Sequence, residues 1–205
     1  MQIKKELLQG AMNYQSYMDL SRRLFEEGKT TSQDPHYNQD WVLNLTKLNF
    51  QRIARLEKSS ELNELLLRKL QGLSKKMIWL VLVESWCGDV AQNLPTIWHI
   101  TEQSNGKIEL LLLLRDENLE LMDMFLTNGG RAIPKLVCLN ENLEVLGTWG
   151  PRPKPVQELM QAAKAEGKTF EEIHEIVHTW YAKDKTQTLQ NELATLIQLT
   201  VSSDN

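Results

Sequence analysis

The sequence predicts an α/β protein: a central mixed β-sheet flanked by helices, with further helices at both ends of the chain. Two observations carry this. The runs "MIWLVLV" (77 to 83) and "KIELLLLLR" (107 to 115) are short and continuously apolar, the pattern of strands buried on both faces. Between them Val90, Leu94, Ile97 and Trp98 recur at helical spacing, which makes the three segments a β-α-β unit.

The remaining elements follow in order. Residues 1 to 74 contain no convincing strand. From Trp41 the apolar positions Trp41, Leu45, Leu48, Ile53 and Leu56 predict one helix, and Leu62, Leu65, Leu66 and Leu70 predict another. The stretch "GKTTSQDPHYN" (28 to 38) is rich in turn-forming residues and reads as a loop. After the second strand, "RDENLELMDMFLTNGG" predicts a helix closed by Gly129 and Gly130. "IPKLVCL" and "LEVLGTW", joined by "NEN", read as an antiparallel hairpin. Residues 153 to 200 return to helix. The organisation expected is a helical extension over 1–74, an α/β domain over 75–166 and a second helical extension over 167–205.

Bulk properties exclude several classes. With 41% hydrophobic and 24% charged residues, the composition is that of an ordinary globular protein. A net charge of -4 gives no broad basic field for nucleic acid; Lys75, Lys76 and the "GPRPKP" segment are short basic clusters of the kind found on solvated surfaces. The N-terminal "MQIKKELLQG" lacks the apolar core of a signal peptide, and no apolar run approaches the roughly 20 residues of a membrane span. A cytoplasmic protein with no nucleic-acid or membrane partner is expected. Two cysteines, Cys87 and Cys138, make neither a disulfide framework nor a metal-binding pair, and no cofactor is implied.

The segment "ESWCGDVAQNLP" (84 to 95) carries the chemistry. A buried strand leads straight into Trp86-Cys87-Gly88, Pro95 follows eight residues after Cys87, "GGRAIPKLVCL" puts Ile133-Pro134 ahead of a strand, and "NENLEVLGTWG" supplies a closing hairpin and glycine. In that order and spacing, residues 76 to about 166 resemble the thioredoxin family, in a bacterial type with a one-cysteine site. The resemblance implies that Trp86, Cys87, Gly88 and Asp89 form the catalytic loop. It also implies that the Ile133-Pro134 bond is cis and faces Cys87, with the strand edge before it free to pair with an extended substrate peptide.

Three positions depart from the family pattern. Asp89 replaces the proline of Trp-Cys-Gly-Pro-Cys, Val90 replaces the second cysteine, and Val81 stands where thioredoxins carry a buried aspartate. Dithiol turnover thereby loses its resolving thiol and its usual proton acceptor. Thiolate attack on a disulfide still gives a mixed disulfide, which an external thiol, from a protein or a low-molecular-weight compound, must release. A cysteine opening a helix has its thiolate favoured by about 0.3–1 kcal/mol at an exposed end, opposed by the neighbouring Asp89 carboxylate; a thiol somewhat more acidic than free cysteine is expected. Peroxide sensing through a sulfenic acid suits the same geometry. The reading is monothiol exchange or redox sensing at Cys87, and its alternative is a non-catalytic binding module of the same fold. Cys138, inside an apolar strand, reads as structural.

One pattern lies outside that account. His174-Glu175-Ile176-Val177-His178 matches the H-E-x-x-H signature of zinc peptidases. The later helical carboxylate Glu192 comes too soon for the usual third ligand, and zinc hydrolysis is the least favoured reading. Of the six tryptophans, Trp41, Trp79, Trp98 and Trp180 are expected in the core, with Trp86 and Trp149 near the site.

Overall fold

The computed structural model describes residues 1–59 and 61–202. Four strands, β1 (Met77–Val83), β2 (Ile108–Leu114), β3 (Lys135–Asn140) and β4 (Val145–Trp149), form one mixed sheet in the order β2-β1-β3-β4. β1 pairs parallel with β2 and antiparallel with β3, and β3 pairs antiparallel with β4. The central strand has no polar position to spare: every β1 residue except Ile78 is buried, as a strand covered on both faces requires.

Helix α4 (Gly88–Glu102) crosses from β1 to β2 and buries Val90, Leu94, Ile97 and Ile100 against the sheet. N-terminal to the sheet lie α1 (Tyr14–Glu26), α2 (Asp40–Ser59) and α3 (Glu64–Gln71). Two single bridges, Gln2 to Glu144 and Met12 to Leu112, pin the first residues to the outer strands.

The helix predicted from Trp41 forms, but its buried face differs. Val42, Thr46, Asn49, Ile53 and Leu56 are covered, while Trp41 and Leu48 are 47% and 43% exposed. The reason is hydrogen bonding: Asn49 Nδ2 donates to the Ser85 carbonyl at 3.1 Å and Thr46 Oγ1 to the Val42 carbonyl at 2.9 Å. Buried polar groups with partners are tolerated, so the packed face need not be the most apolar one. The helix expected over 115–130 is short, α5 (Leu119–Asp123). Leu121, Met122 and Phe125 are buried at its end, and a Thr127–Gly130 bridge closes a turn through Asn128 and Gly129 at positive φ.

Three helices complete the chain: α6 (Lys154–Ala165), α7 (Phe170–Asp184) and α8 (Gln187–Ser202). A full capping box, Thr169 with Glu172, starts α7. α8 packs on β4, where Gly147 lets the Leu196 side chain approach. Among the described residues no helix is long and apolar enough to cross a membrane.

Candidate functional site

Cys87 is the N-cap of α4, in the short turn that follows the end of β1 at Val83. The residue is 8% exposed and its thiol donates to the Ile133 carbonyl at 3.3 Å; the Ile133–Pro134 peptide is cis. Burial, and after it the Asp89 carboxylate, push the thiol up to about 12, against the pull of the Asp89 and Val90 backbone N–H groups and Arg152. This corrects the expectation of an acidic thiol. The helix terminus does favour the thiolate, but a buried thiol loses more from desolvation than exposed helix ends return.

No second thiol is near. Val90 is buried in the first turn of α4, and Cys138 lies in mid-β3 with its sulfur 3.8 Å from Met77 Sδ. Both cysteines are free.

The remaining motif residues hold the loop and its surroundings. The Asp89 carboxylate pairs with Arg152, whose Nε lies at 3.0 Å, and accepts from the Tyr181 hydroxyl at 2.8 Å. Asn93 Nδ2 donates to both the Asp89 carbonyl, at 2.7 Å, and the Tyr181 oxygen, at 3.0 Å. Asp89 therefore ties α4 to α7 and to the segment after β4, and its carboxylate is already occupied. Gly88 makes room: a Cβ there would stand 3.1 Å from His178 Nε2 and 3.8 Å from Arg52 Nη1, so the bare Cα lets α7 close over the loop. Gly150 answers another close approach. Its φ is +115°, and a Cβ would collide with the Pro134 carbonyl oxygen.

Segment 30–38 seals a further side. The Thr31 hydroxyl donates to the Glu84 carboxylate, Ser85 N donates to Thr31 Oγ1 at 2.9 Å, and Thr31 N donates to Ser85 Oγ at 3.1 Å. Glu84, fully buried, is raised to about 7 by desolvation, although its bonds from Thr31 and the Asp116 N–H pull the other way. The loop so anchored lays Tyr37 flat on Trp86, ring centroids 4.1 Å apart, with the Arg115 guanidinium 4.9 Å from the Trp86 centroid.

The result is a cavity of about 380 Å³ with Cys87 among its walls, roofed by α2 and α7. This alters the picture of a free peptide groove at Ile133 and Pro134. Ile133 is 4% exposed, its carbonyl is engaged by the Cys87 thiol, and Trp86 is itself covered by Tyr37. Trp41 lines the cavity rather than the core, and Trp149 donates to Glu192 at 2.6 Å rather than facing the thiol.

His174 and His178 also line the cavity, with rings 4.2 Å apart. Gln92 Nε2 stands 2.9 Å from His178 Nδ1. An amide nitrogen only donates, so Nδ1 accepts and Nε2 carries the hydrogen. Burial, then Arg52, push His178 down to about 3, leaving a neutral ring. Glu175 is exposed, Glu192 is bonded to Trp149 and Lys154, and among the described residues no group of three or more His, Cys, Asp or Glu is arranged to hold a metal ion.

A parallel β-α-β unit followed by a hairpin, with a cysteine capping the crossover helix opposite a cis-proline, defines the thioredoxin class. The chain belongs to the thioredoxin family, whose model matches residues 37–164, well over half its length. Two solved structures share the fold. A protein of unknown function from Pseudomonas aeruginosa is 20% identical, with a TM-score of 0.53 over 86% of this chain and 96% of that one. An HIV epitope scaffold is 19% identical, with a TM-score of 0.54 over the same shares. No curated protein matches the chain.

Arg52, Arg115, Arg152, Tyr37 and Phe170 join the site from distant segments. The sequence carries no local motif for them; only the His-Glu-Ile-Val-His pattern marked one wall of the cavity, under another chemistry.

Proposed function

We propose that the protein is a monothiol member of the thioredoxin family, a bacterial type in which the Trp86-Cys87-Gly88-Asp89 loop carries out thiol–disulfide exchange through Cys87 alone. The observation that carries this reading is the placement of the Cys87 sulfur: at the start of α4, against the carbonyl before cis-Pro134, in the wall of a cavity and remote from Cys138. In the exchange, Cys87 loses its proton and its thiolate attacks one sulfur of a disulfide R–S–S–R. The Cys87–sulfur bond forms, the original S–S bond breaks, and RS⁻ leaves. With Val90 in the resolving position, a second external thiolate attacks the substrate sulfur of the mixed disulfide and returns Cys87 as thiolate, which regains its proton.

The raised thiol fits a resting state that is protonated and shielded rather than standing as free thiolate. Two free thiols without a disulfide framework suit a reducing, cytoplasmic setting. On this reading segments 1–74 and 167–205 are extensions that supply the roof.

A second reading has its own support. The same buried, protonated thiol is what a non-catalytic binding module of this fold would carry. Incubating the folded protein with a small disulfide and measuring its intact mass separates the two: exchange yields one mixed disulfide at Cys87, and a pure binding module yields none.

A further inference from the structure

Four arginines line the cavity, Arg52, Arg115, Arg131 and Arg152, against one carboxylate, Asp89. Three of them are neutralised, Arg115 by Asp116, Arg131 by Asp123 and Arg152 by Asp89. Arg52 forms no ion pair among the described residues. It is half-buried, and its Nη1 donates to Asn49 Oδ1 at 2.9 Å. A half-buried guanidinium with no direct ion-pair partner, beside an Asp89 carboxylate already taken by Arg152, leaves room for an anion to join it.

A second donor points to the same place. Arg52 Nη1 and His178 Nε2 lie beside Gly88, at 3.8 and 3.1 Å from where a Cβ would stand, and both residues line the cavity. With Gln92 Nε2 donating to Nδ1, the hydrogen of the neutral ring sits on Nε2. Two neighbouring donors in one cavity wall match the oxygens of a carboxylate. The other side of the cavity is apolar. Trp41 and Phe170 meet edge to face at 6.3 Å and are 47% and 59% exposed, much for large aromatic side chains, and Leu45 and Ile173 continue the surface inward.

We propose that the cavity binds a small organic acid, its carboxylate held between Arg52 and the His178 N–H and its apolar body laid along Trp41 and Phe170. It deepens the monothiol reading, on which it rests for one point: the molecule that brings sulfur to Cys87 is of this class. An extended peptide would need the Ile133 backbone, which is buried with its carbonyl engaged. About 380 Å³ lies within the range of small-molecule sites.

The test is calorimetric titration of the full-length Cys87→Ser protein, and of the wild type, with 2-naphthoate and with its neutral counterpart 2-naphthalenemethanol. The carboxylate is expected to bind about tenfold or more tightly than the alcohol, since a charge-assisted bond is roughly twice as strong as a neutral one. That advantage should vanish in Arg52→Gln and persist in Arg52→Lys. Equal affinities, an advantage untouched by Arg52→Gln, or no binding of either compound to the folded protein would overturn the proposal. Neither probe contains sulfur, so failure here is separable from failure of Cys87 to form a mixed disulfide.

Discussion

Cys87 in the folded protein should react with a small neutral disulfide, 4,4′-dithiodipyridine, roughly a hundredfold more slowly at pH 7.5 than a cysteine in an unfolded chain. The thiol is pushed up to about 12 by its burial, against about 8.5 for free cysteine. Near neutral pH that difference removes about 3.5 powers of ten from the thiolate fraction. A more basic thiolate is intrinsically more nucleophilic, with a Brønsted slope of about 0.4–0.5, which restores roughly 1.5 powers of ten. About two remain. The assay follows released pyridinethione in a Cys138→Ala background, so that Cys87 is the only thiol, with the urea-unfolded protein as reference. The folded-state rate should rise tenfold per pH unit from 7 to 11 without levelling. A plateau beginning near pH 8.5 or lower, or equal folded and unfolded rates at pH 7.5, would refute the argument that desolvation outweighs the helix terminus. The linked stability has a definite sign: because the folded thiol titrates above the unfolded one, its neutral form contributes stability that is complete below about pH 8.5 and lost as pH rises toward 12.

Glu84 behaves in the same sense at lower pH. Raised to about 7, it contributes stability that is complete below about pH 4.3 and lost as pH rises through 7; Glu84→Gln should therefore gain on the wild type between pH 5 and 8.5, on the order of 2–3 kcal/mol, in urea denaturation. His178 is shifted down, so its neutral form stabilises the fold above about pH 6.5 and that contribution fades as pH falls toward 3; its ring protons should show no titration between pH 5 and 8 by NMR. Asp89→Asn removes one partner of a buried ion pair, which costs about 3–5 kcal/mol, and should still speed the reaction of Cys87, because the carboxylate is the second cause raising the thiol; slower reaction would contradict the assignment. Gly150→Ala combines a positive φ with a collision at Pro134 and should lower stability by about 2–5 kcal/mol in thermal melts.

Much of the fold is legible in the chain. "MIWLVLV" is β1 residue for residue, because a strand covered on both faces leaves an unbroken apolar signature; the run after Lys107 is β2, an edge strand in which Glu109 is exposed and Leu110 and Leu111 are only half-buried. The resemblance at Trp86-Cys87-Gly88 and Ile133-Pro134 leads to the thioredoxin family. What the sequence hid are the terms set by distance in the chain. The buried face of α2 runs through Thr46 and Asn49 because Asn49 meets the Ser85 carbonyl, a contact across 36 positions. The helix terminus and Asp89 are local to Cys87, whereas the roof that buries its thiol is built from residues on α2, the 30–38 segment and α7. The two histidines of the H-E-x-x-H pattern do share a helix face, as their spacing requires, but that face closes over Gly88, and the exposed Glu175 takes no part.

The central claim, that Cys87 exchanges as a lone thiol with an external partner, is tested most directly by intact-mass spectrometry of the folded wild-type chain incubated with 4,4′-dithiodibenzoate and then with a free thiol. One arylthio adduct is expected, localised to Cys87 by digestion, that the added thiol removes to leave both cysteines reduced. No adduct on folded protein under conditions that label the unfolded chain, or collapse of the adduct to a Cys87–Cys138 disulfide, would contradict it.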